Sequence, residues 1–192
     1  SEKLDVNAVI QDSAKRWDGG YAIVGVIGNG DLFAMRDPSG IRPCYYYEND
    51  EIFTIASERV ALMSVFGVSE EEIQELPPAH VAVIKADGGM SIQKFTEPRE
   101  FKPCSFECIY FSRGNDSDIY RQRKALGEQL VPQVVKAIEN DFEHTVLSFI
   151  PNTAETAYFG FLDGLRKARR SVVKDALLEM LKDGHFDAED EK

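Results

Sequence analysis

The chain is poor in cysteine, has no long hydrophobic run and carries no excess of basic residues. Three cysteines in 192 residues are too few for a disulfide framework and suit a reducing compartment. No apolar stretch approaches the ~20 residues that a membrane-crossing helix needs, and the first residues lack a secretory-signal pattern. With 22 Lys and Arg against 33 Asp and Glu, the net charge is −11. That balance argues against a nucleic-acid partner, whose phosphates reward cationic clusters. Internal repeats and low-complexity tracts are also missing. The expectation is a cytoplasmic protein that meets small molecules rather than nucleic acid or membrane.

What is present is concentrated in residues 19–58, GGYAIVGVIGNGDLFAMRDPSGIRPCYYYENDEIFTIASE. Residues 21–27 are apolar and β-branched, which predicts a buried strand. Gly28, Asn29 and Gly30 are expected to supply the positive φ angles of a tight turn. No helix follows them, so they are not a dinucleotide-binding fingerprint. Residues 32–35 return, and Asp37-Pro38-Ser39-Gly40 make a second turn. Residues 44–47 and 52–56 read as a further hairpin. A polar helix over residues 2–17 precedes this block. A short helix over 57–66 and strands at 79–86 and 91–95 around Asp87-Gly88-Gly89 follow it. Glu70-Glu71-Glu72 reads as a solvated face.

The run RDPSGIRP, followed by a tyrosine triplet and Ala-Ser-Glu, resembles the glutaminase domain of class II glutamine amidotransferases, the N-terminal-nucleophile type. Amidophosphoribosyltransferases carry RDP-x-GIRP there and asparagine synthetases a looser form; Arg42 and the intact Asp37-Pro38 pair favour the first. Residues 102–130 add a cysteine, Phe-Glu, Tyr-Phe-x-Arg and Arg-x-x-x-Gly in the order of the amidophosphoribosyltransferase junction, at Cys104, Phe106, Glu107, Tyr110, Phe111, Arg113, Arg123 and Gly127. Gly114 departs from that pattern, standing where a proline is usual.

The resemblance implies an α+β chain. Residues 1–98 would be the second half of an N-terminal-nucleophile-hydrolase-type αββα glutaminase domain. Residues 99–192 would be the junction and beginning of a type I phosphoribosyltransferase α/β domain. It further implies a parent enzyme, a homo-oligomer, that moves ammonia from glutamine to phosphoribosyl pyrophosphate with Mg²⁺. Such glutaminases attack with an N-terminal cysteine whose own amine is the base. No such cysteine, oxyanion Asn-Gly pair or glutamine clamp precedes Gly19, and Ser1 is read as a boundary rather than a nucleophile. The chain is therefore expected to be an internal piece, inactive alone and without catalytic residues. The runners-up are an asparagine-synthetase-like fragment and a non-catalytic interaction domain of the same ancestry.

Within the second region, residues 108–111 are expected to form a strand. An amphipathic helix over 127–140 should carry Leu130, Val131, Val134, Val135 and Ile138 on one face, and a buried strand should follow over 145–150. The sequence TVLSFIPNTAETAYFGF then places Pro151-Asn152-Thr153-Ala154 between that strand and a helix. In the resembled fold this is the first pyrophosphate-side loop, with Thr153 matching a position that binds phosphate or Mg²⁺. A plain helix cap is the alternative role for Thr153. Residues after Arg170 read as a charged amphipathic helix with a solvated acidic tail.

Other residues take structural readings. Some members of the resembled family bind a [4Fe–4S] cluster through a cysteine at the Cys104 position. On a strand, though, Cys104 and Cys108 would sit about 13 Å apart, so a core or interface thiol is favoured over a cluster ligand. His80, His144 and His185 lie in different elements with no carboxylate or cysteine at ligand spacing.

Overall fold

Asp5 caps the first helix by accepting the Ala8 N–H at 3.2 Å in the computed structural model, which describes residues 5–182. That helix, α1 (Val6–Ala14), is amphipathic: Val6 and Ile10 are buried and the opposite face is solvated. Seven strands follow: β1 (Ala22–Val26), β2 (Leu32–Arg36), β3 (Tyr45–Glu48), β4 (Phe53–Ala56), β5 (Gln74–Glu75), β6 (His80–Ile84) and β7 (Met90–Lys94). The helix α2 (Arg59–Phe66) separates β4 from β5 and ends on Gly67, whose φ of 65° is open to a residue without a Cβ. The chain divides into two compact units at Asp116/Ser117.

The first unit holds two antiparallel sheets, ordered β1-β2-β6-β7 and β4-β3-β5. Strand β6 is covered on both faces. Val81 and Val83 pack with Met35, Phe95 and the α1 residues Val6 and Ile10. Ala82 packs the other way, with Cys44, Tyr46 and Leu76, and Phe53, Ile55, Ile84 and Ile92 close around them. On the far side of the second sheet, Phe66 of α2 lies 5.7 Å from the Tyr47 ring. The order is thus helix, sheet, sheet, helix, the αββα layering expected from the sequence.

Three details of this unit differ from the sequence reading. Strand β1 is an edge with one open face, Val24 and Val26 being 66% and 75% exposed; an apolar run alone does not tell how many of its faces are covered. In the β1–β2 turn only Gly30 has a positive φ, 91°, because Gly30 N–H already closes on the Ile27 carbonyl at 2.8 Å. Residues 108–111 are not a strand. Glu107–Phe111 form a π-helical turn, with Ser112 N–H donating to the Glu107 carbonyl at 2.8 Å. Arg42 holds this turn by an ion pair with Glu107 and by lying 5.5 Å over the Phe111 ring.

The second unit is a pair of helices, α3 (Ser117–Ala137) and α4 (Glu155–Lys182). The first begins ten residues before the expected 127–140 helix and carries Pro132 inside it, and of the expected apolar stripe Val131 is the buried member. The helix expected after Arg170 is continuous with α4; the acidic tail and His185 lie outside the described residues. Residues 145–150 are not hydrogen-bonded into a sheet, with Val146 93% and Ile150 84% exposed. Their inward side packs on α4 instead: Tyr158 donates to the Leu147 carbonyl at 2.9 Å and its ring lies 5.1 Å from Phe149. Among the described residues no strand lies beside them, so the apolar run read as a buried strand has no ladder to join.

Candidate functional site

The most distinctive residues of the sequence, 36–43, spend their polar chemistry on the fold. The buried Arg36 guanidinium donates to the carbonyls of Arg42 at 2.7 Å, Leu76 at 2.9 Å and Gly40 at 3.1 Å, and pairs with Glu75 at 2.7 Å. Asp37, fully buried, accepts backbone N–H groups from Tyr21, Ser39, Ile41 and Arg42 at 2.9–3.3 Å. A buried charge is tolerable only when satisfied in this way. Gly40 sits at φ 63°, and a Cβ there would lie 2.7 Å from the Phe101 ring. The turn also fastens the segment that leaves β7. Arg99, Lys102 and Cys104 N–H groups donate to the carbonyls of Pro38, Ser39 and Ile41 at 2.9, 2.9 and 3.2 Å. No local pattern in the sequence signals that hydrogen-bonded pairing.

At the end of the first unit Arg59 is a second anchor that the sequence reading missed. It grips Asp116 with two nitrogens, the longer contact being 2.7 Å, and Glu70 at 2.6 Å. Glu70 is therefore not simply solvated. Glu72 is held below the usual carboxylate range by hydrogen bonds from the Ser69 backbone and hydroxyl, both 2.8 Å. No spacing rule links an arginine at 59 to an aspartate at 116, so only the fold discloses the pair.

Cysteine chemistry is limited. Cys44 is buried in the core between the sheets, and burial pushes its thiol up to about 11. Cys104 and Cys108 are half-buried at the π-helical turn, so the separation inferred from a strand does not apply. A cubane cluster needs four thiolates; this chain has three cysteines, one of them sealed in the core. The chain's own residues do not make that set. His80 Nδ1 lies 2.8 Å from the Pro78 carbonyl. His144 does have a carboxylate partner, Asp141 at 3.0 Å, contrary to the sequence reading.

Thr153 lies half-buried in a turn over residues 151–154 that opens α4. The helix starts at Glu155, whose N–H donates to the Asn152 carbonyl at 3.2 Å. Tyr158 N–H closes on Ala154 at 2.9 Å. A helix start offers N–H groups to an anion, and the Glu155 carboxylate adds a hard oxygen beside the Thr153 hydroxyl in sequence. The loop is positioned by the close crossing of α3 and α4. A Cβ on Gly127 would meet the Ala157 carbonyl oxygen at 1.7 Å, and one on Gly160 the Lys124 carbonyl oxygen at 2.0 Å. Lys124 then pairs with Asp163 at 2.6 Å and Lys167 with Glu128 at 2.9 Å. The Gly160-x-x-x-Gly164 spacing was the available signal for this crossing.

Comparison with known proteins agrees with this layout. Residues 3–64 match the glutamine amidotransferase domain family. Pseudomonas aeruginosa amidophosphoribosyltransferase is 30% identical over 180 residues, 89% of this chain and 35% of the relative. The Lachancea kluyveri enzyme of the same name is 28% identical over 88% of this chain and 34% of its own length. This chain is homologous to the amidophosphoribosyltransferases. It spans about a third of the length of these relatives. The fold agrees as well: glutamine phosphoribosylpyrophosphate amidotransferase from B. subtilis, solved with ADP and GMP, superposes with a TM-score of 0.66 at 23% identity, over 86% of this chain and 35% of that one. A second structure, described as the allosteric regulatory enzyme of purine biosynthesis, gives 0.66 at 24% identity, over 85% of this chain and 34% of that one. The amidophosphoribosyltransferase resemblance thus runs well past the RDPSGIRP motif, through the junction and into α4. The fold class, α+β of the N-terminal-nucleophile type, stands with it.

Proposed function

We propose that this chain works within an amidophosphoribosyltransferase, in which glutamine supplies ammonia that displaces pyrophosphate from phosphoribosyl pyrophosphate to give phosphoribosylamine. The observation that carries this reading is the homology over 89% of the chain, which extends across both compact units. Residues 1–98 act as the C-terminal half of the glutaminase domain and residues 99–192 as the junction and start of the phosphoribosyltransferase domain. The first part supplies sheets and the Arg36–Asp37 anchor, not the nucleophile; the second supplies one substrate loop.

In that loop Thr153 contributes its hydroxyl, and the first turn of α4 its N–H groups, to the pyrophosphate side of the substrate. Mg²⁺ neutralises phosphate charge in such chemistry and is held by few protein oxygens plus the phosphates themselves. A hydroxyl at a helix start suits an ion that arrives with its substrate. The working enzyme is a cytoplasmic homo-oligomer acting on small molecules.

The test uses the full-length gene product. Thr153→Val should raise the KM for Mg²⁺–phosphoribosyl pyrophosphate or lower kcat for transfer, while glutamine hydrolysis persists. Unchanged transferase kinetics would reduce Thr153 to a helix-start residue. The 192-residue polypeptide alone should release no ammonia from glutamine above a buffer blank.

A further inference from the structure

The turn that carries Thr153 is anchored differently on its two sides. Downstream it runs straight into α4, where Glu155 N–H donates to the Asn152 carbonyl and Tyr158 N–H to the Ala154 carbonyl, at 3.2 and 2.9 Å. Upstream, residues 145–150 belong to no helix and no sheet. Among the described residues, the hydrogen bond that holds the backbone of residues 146–150 is the one from the Tyr158 hydroxyl to the Leu147 carbonyl, 2.9 Å long. The direction of that hydroxyl is set by its ring. Tyr158 lies between Phe149, 5.1 Å away at 32°, and the buried Phe161, 6.3 Å away at 27°. Phe161 stands one residue beyond Gly160, where α4 meets the α3 backbone. Phenylalanine at 158 would fill the same stack. The hydroxyl is the part that packing does not explain, and it is spent on a segment that buries little of its own.

The bond joins two residues 11 apart in sequence and encloses Thr153 between them. We propose that Tyr158 is the positioning residue of this loop: by holding Leu147 it fixes the chain that enters the turn, and so sets where the Thr153 hydroxyl stands. The role exists only with Thr153 as the substrate contact proposed above. Tyr158 itself touches no substrate. Without its hydroxyl the Leu147 carbonyl turns to water, and the loop visits positions in which Thr153 is out of place. Apparent affinity then falls in proportion to the competent fraction. Once substrate has bound, the geometry is the same, so the loss belongs in KM rather than in kcat.

The test compares Tyr158→Phe, Thr153→Val and the double variant in the full-length gene product. Tyr158→Phe keeps the ring stack. Its KM for Mg²⁺–phosphoribosyl pyrophosphate should rise roughly 3- to 10-fold, the range that one net hydrogen bond supplies, with kcat unchanged. In the Thr153→Val background the same substitution should add nothing, because the group it positions is gone. Without substrate, chymotrypsin should cut after Phe149 severalfold faster in Tyr158→Phe than in the parent, while the helical circular dichroism stays the same. A parent-like KM or cleavage rate in Tyr158→Phe, beside altered transferase kinetics in Thr153→Val, would overturn the positioning role and leave Thr153 in place. Additive effects of the two substitutions would overturn it too, since Tyr158 would then act elsewhere. Unchanged transferase kinetics in Thr153→Val would defeat the assignment of Thr153 itself, and the role of Tyr158 with it, whatever Tyr158→Phe did.

Discussion

Gly127 and Gly160 bring two helix backbones into direct contact, each standing where a Cβ would overlap a carbonyl oxygen of the other helix, at 1.7 and 2.0 Å. Neither glycine is at a turn or at a positive φ; both are there because nothing larger fits. Alanine at either position gains helix propensity of about 1 kcal/mol yet forces the helices apart. The net cost should be about 2 kcal/mol or more, at the upper end of overpacking penalties. Gly164→Ala, whose nearest obstacle is the Val131 side chain at 2.8 Å, should cost less. Urea unfolding of the three variants checks the order, and equal stability of all three would contradict the crossing.

The turn at residues 37–40 offers a second test. Gly40→Val meets both a left-handed backbone and the Phe101 ring, so it should lose roughly 1–3 kcal/mol from backbone strain in addition to the clash. Asp37→Ala leaves the N–H groups of Ser39, Ile41 and Arg42 without their acceptor, and the Arg36 carbonyl clasp without its neighbour. It should be the more damaging substitution, at about 3 kcal/mol or beyond. Chemical denaturation of both variants measures this; wild-type stability in Asp37→Ala would remove the turn from its structural role.

Acid sensitivity should report on the β1–β2 turn. Asp31 accepts the Lys85 ammonium at 2.9 Å and the Ala86 N–H at 3.0 Å, and these hold its carboxyl below the usual range. Because the folded-state value is depressed, the stabilisation is present above the ordinary carboxylate pKa and is lost as pH falls through the lowered one. Asp31→Asn should therefore be less stable than the parent at neutral pH, with the two curves converging in acid. A gap that stays constant down to pH 2 would show that the carboxylate charge is not involved.

What the sequence disclosed depended on how local the cause was. The 45–56 hairpin and the Asp87-Gly88-Gly89 turn were legible because alternation and turn residues act within a few positions. The αββα layering came through the RDPSGIRP resemblance, and the structure explains that motif's unusual composition: Arg36 and Asp37 bind the backbone of three separate segments. Residues 108–111 and 145–150 misled for one reason. Both are short apolar runs, and whether such a run becomes a strand depends on a partner that local pattern does not contain. In the first case Arg42 recruits the segment into a π-helical turn; in the second Tyr158 draws it onto a helix. The Arg59–Asp116 clamp is a relation between distant positions, which spacing along the chain does not encode; the glycine crossing left only the Gly160-x-x-x-Gly164 spacing as its local trace.

Strand β6 makes the two halves of the first unit answerable to each other. Its odd-numbered residues Val81 and Val83 belong to the cluster beneath α1 and Ala82 to the cluster against the second sheet. A volume change on one face therefore shifts a backbone whose other face is already close-packed. Substitutions on opposite sides of this strand, for example at Ile10 and at Tyr46, should be energetically coupled although their side chains belong to separate clusters. In evolutionary drift the two layers cannot be retuned one at a time, and a compensating change for one is to be sought across the strand rather than beside it.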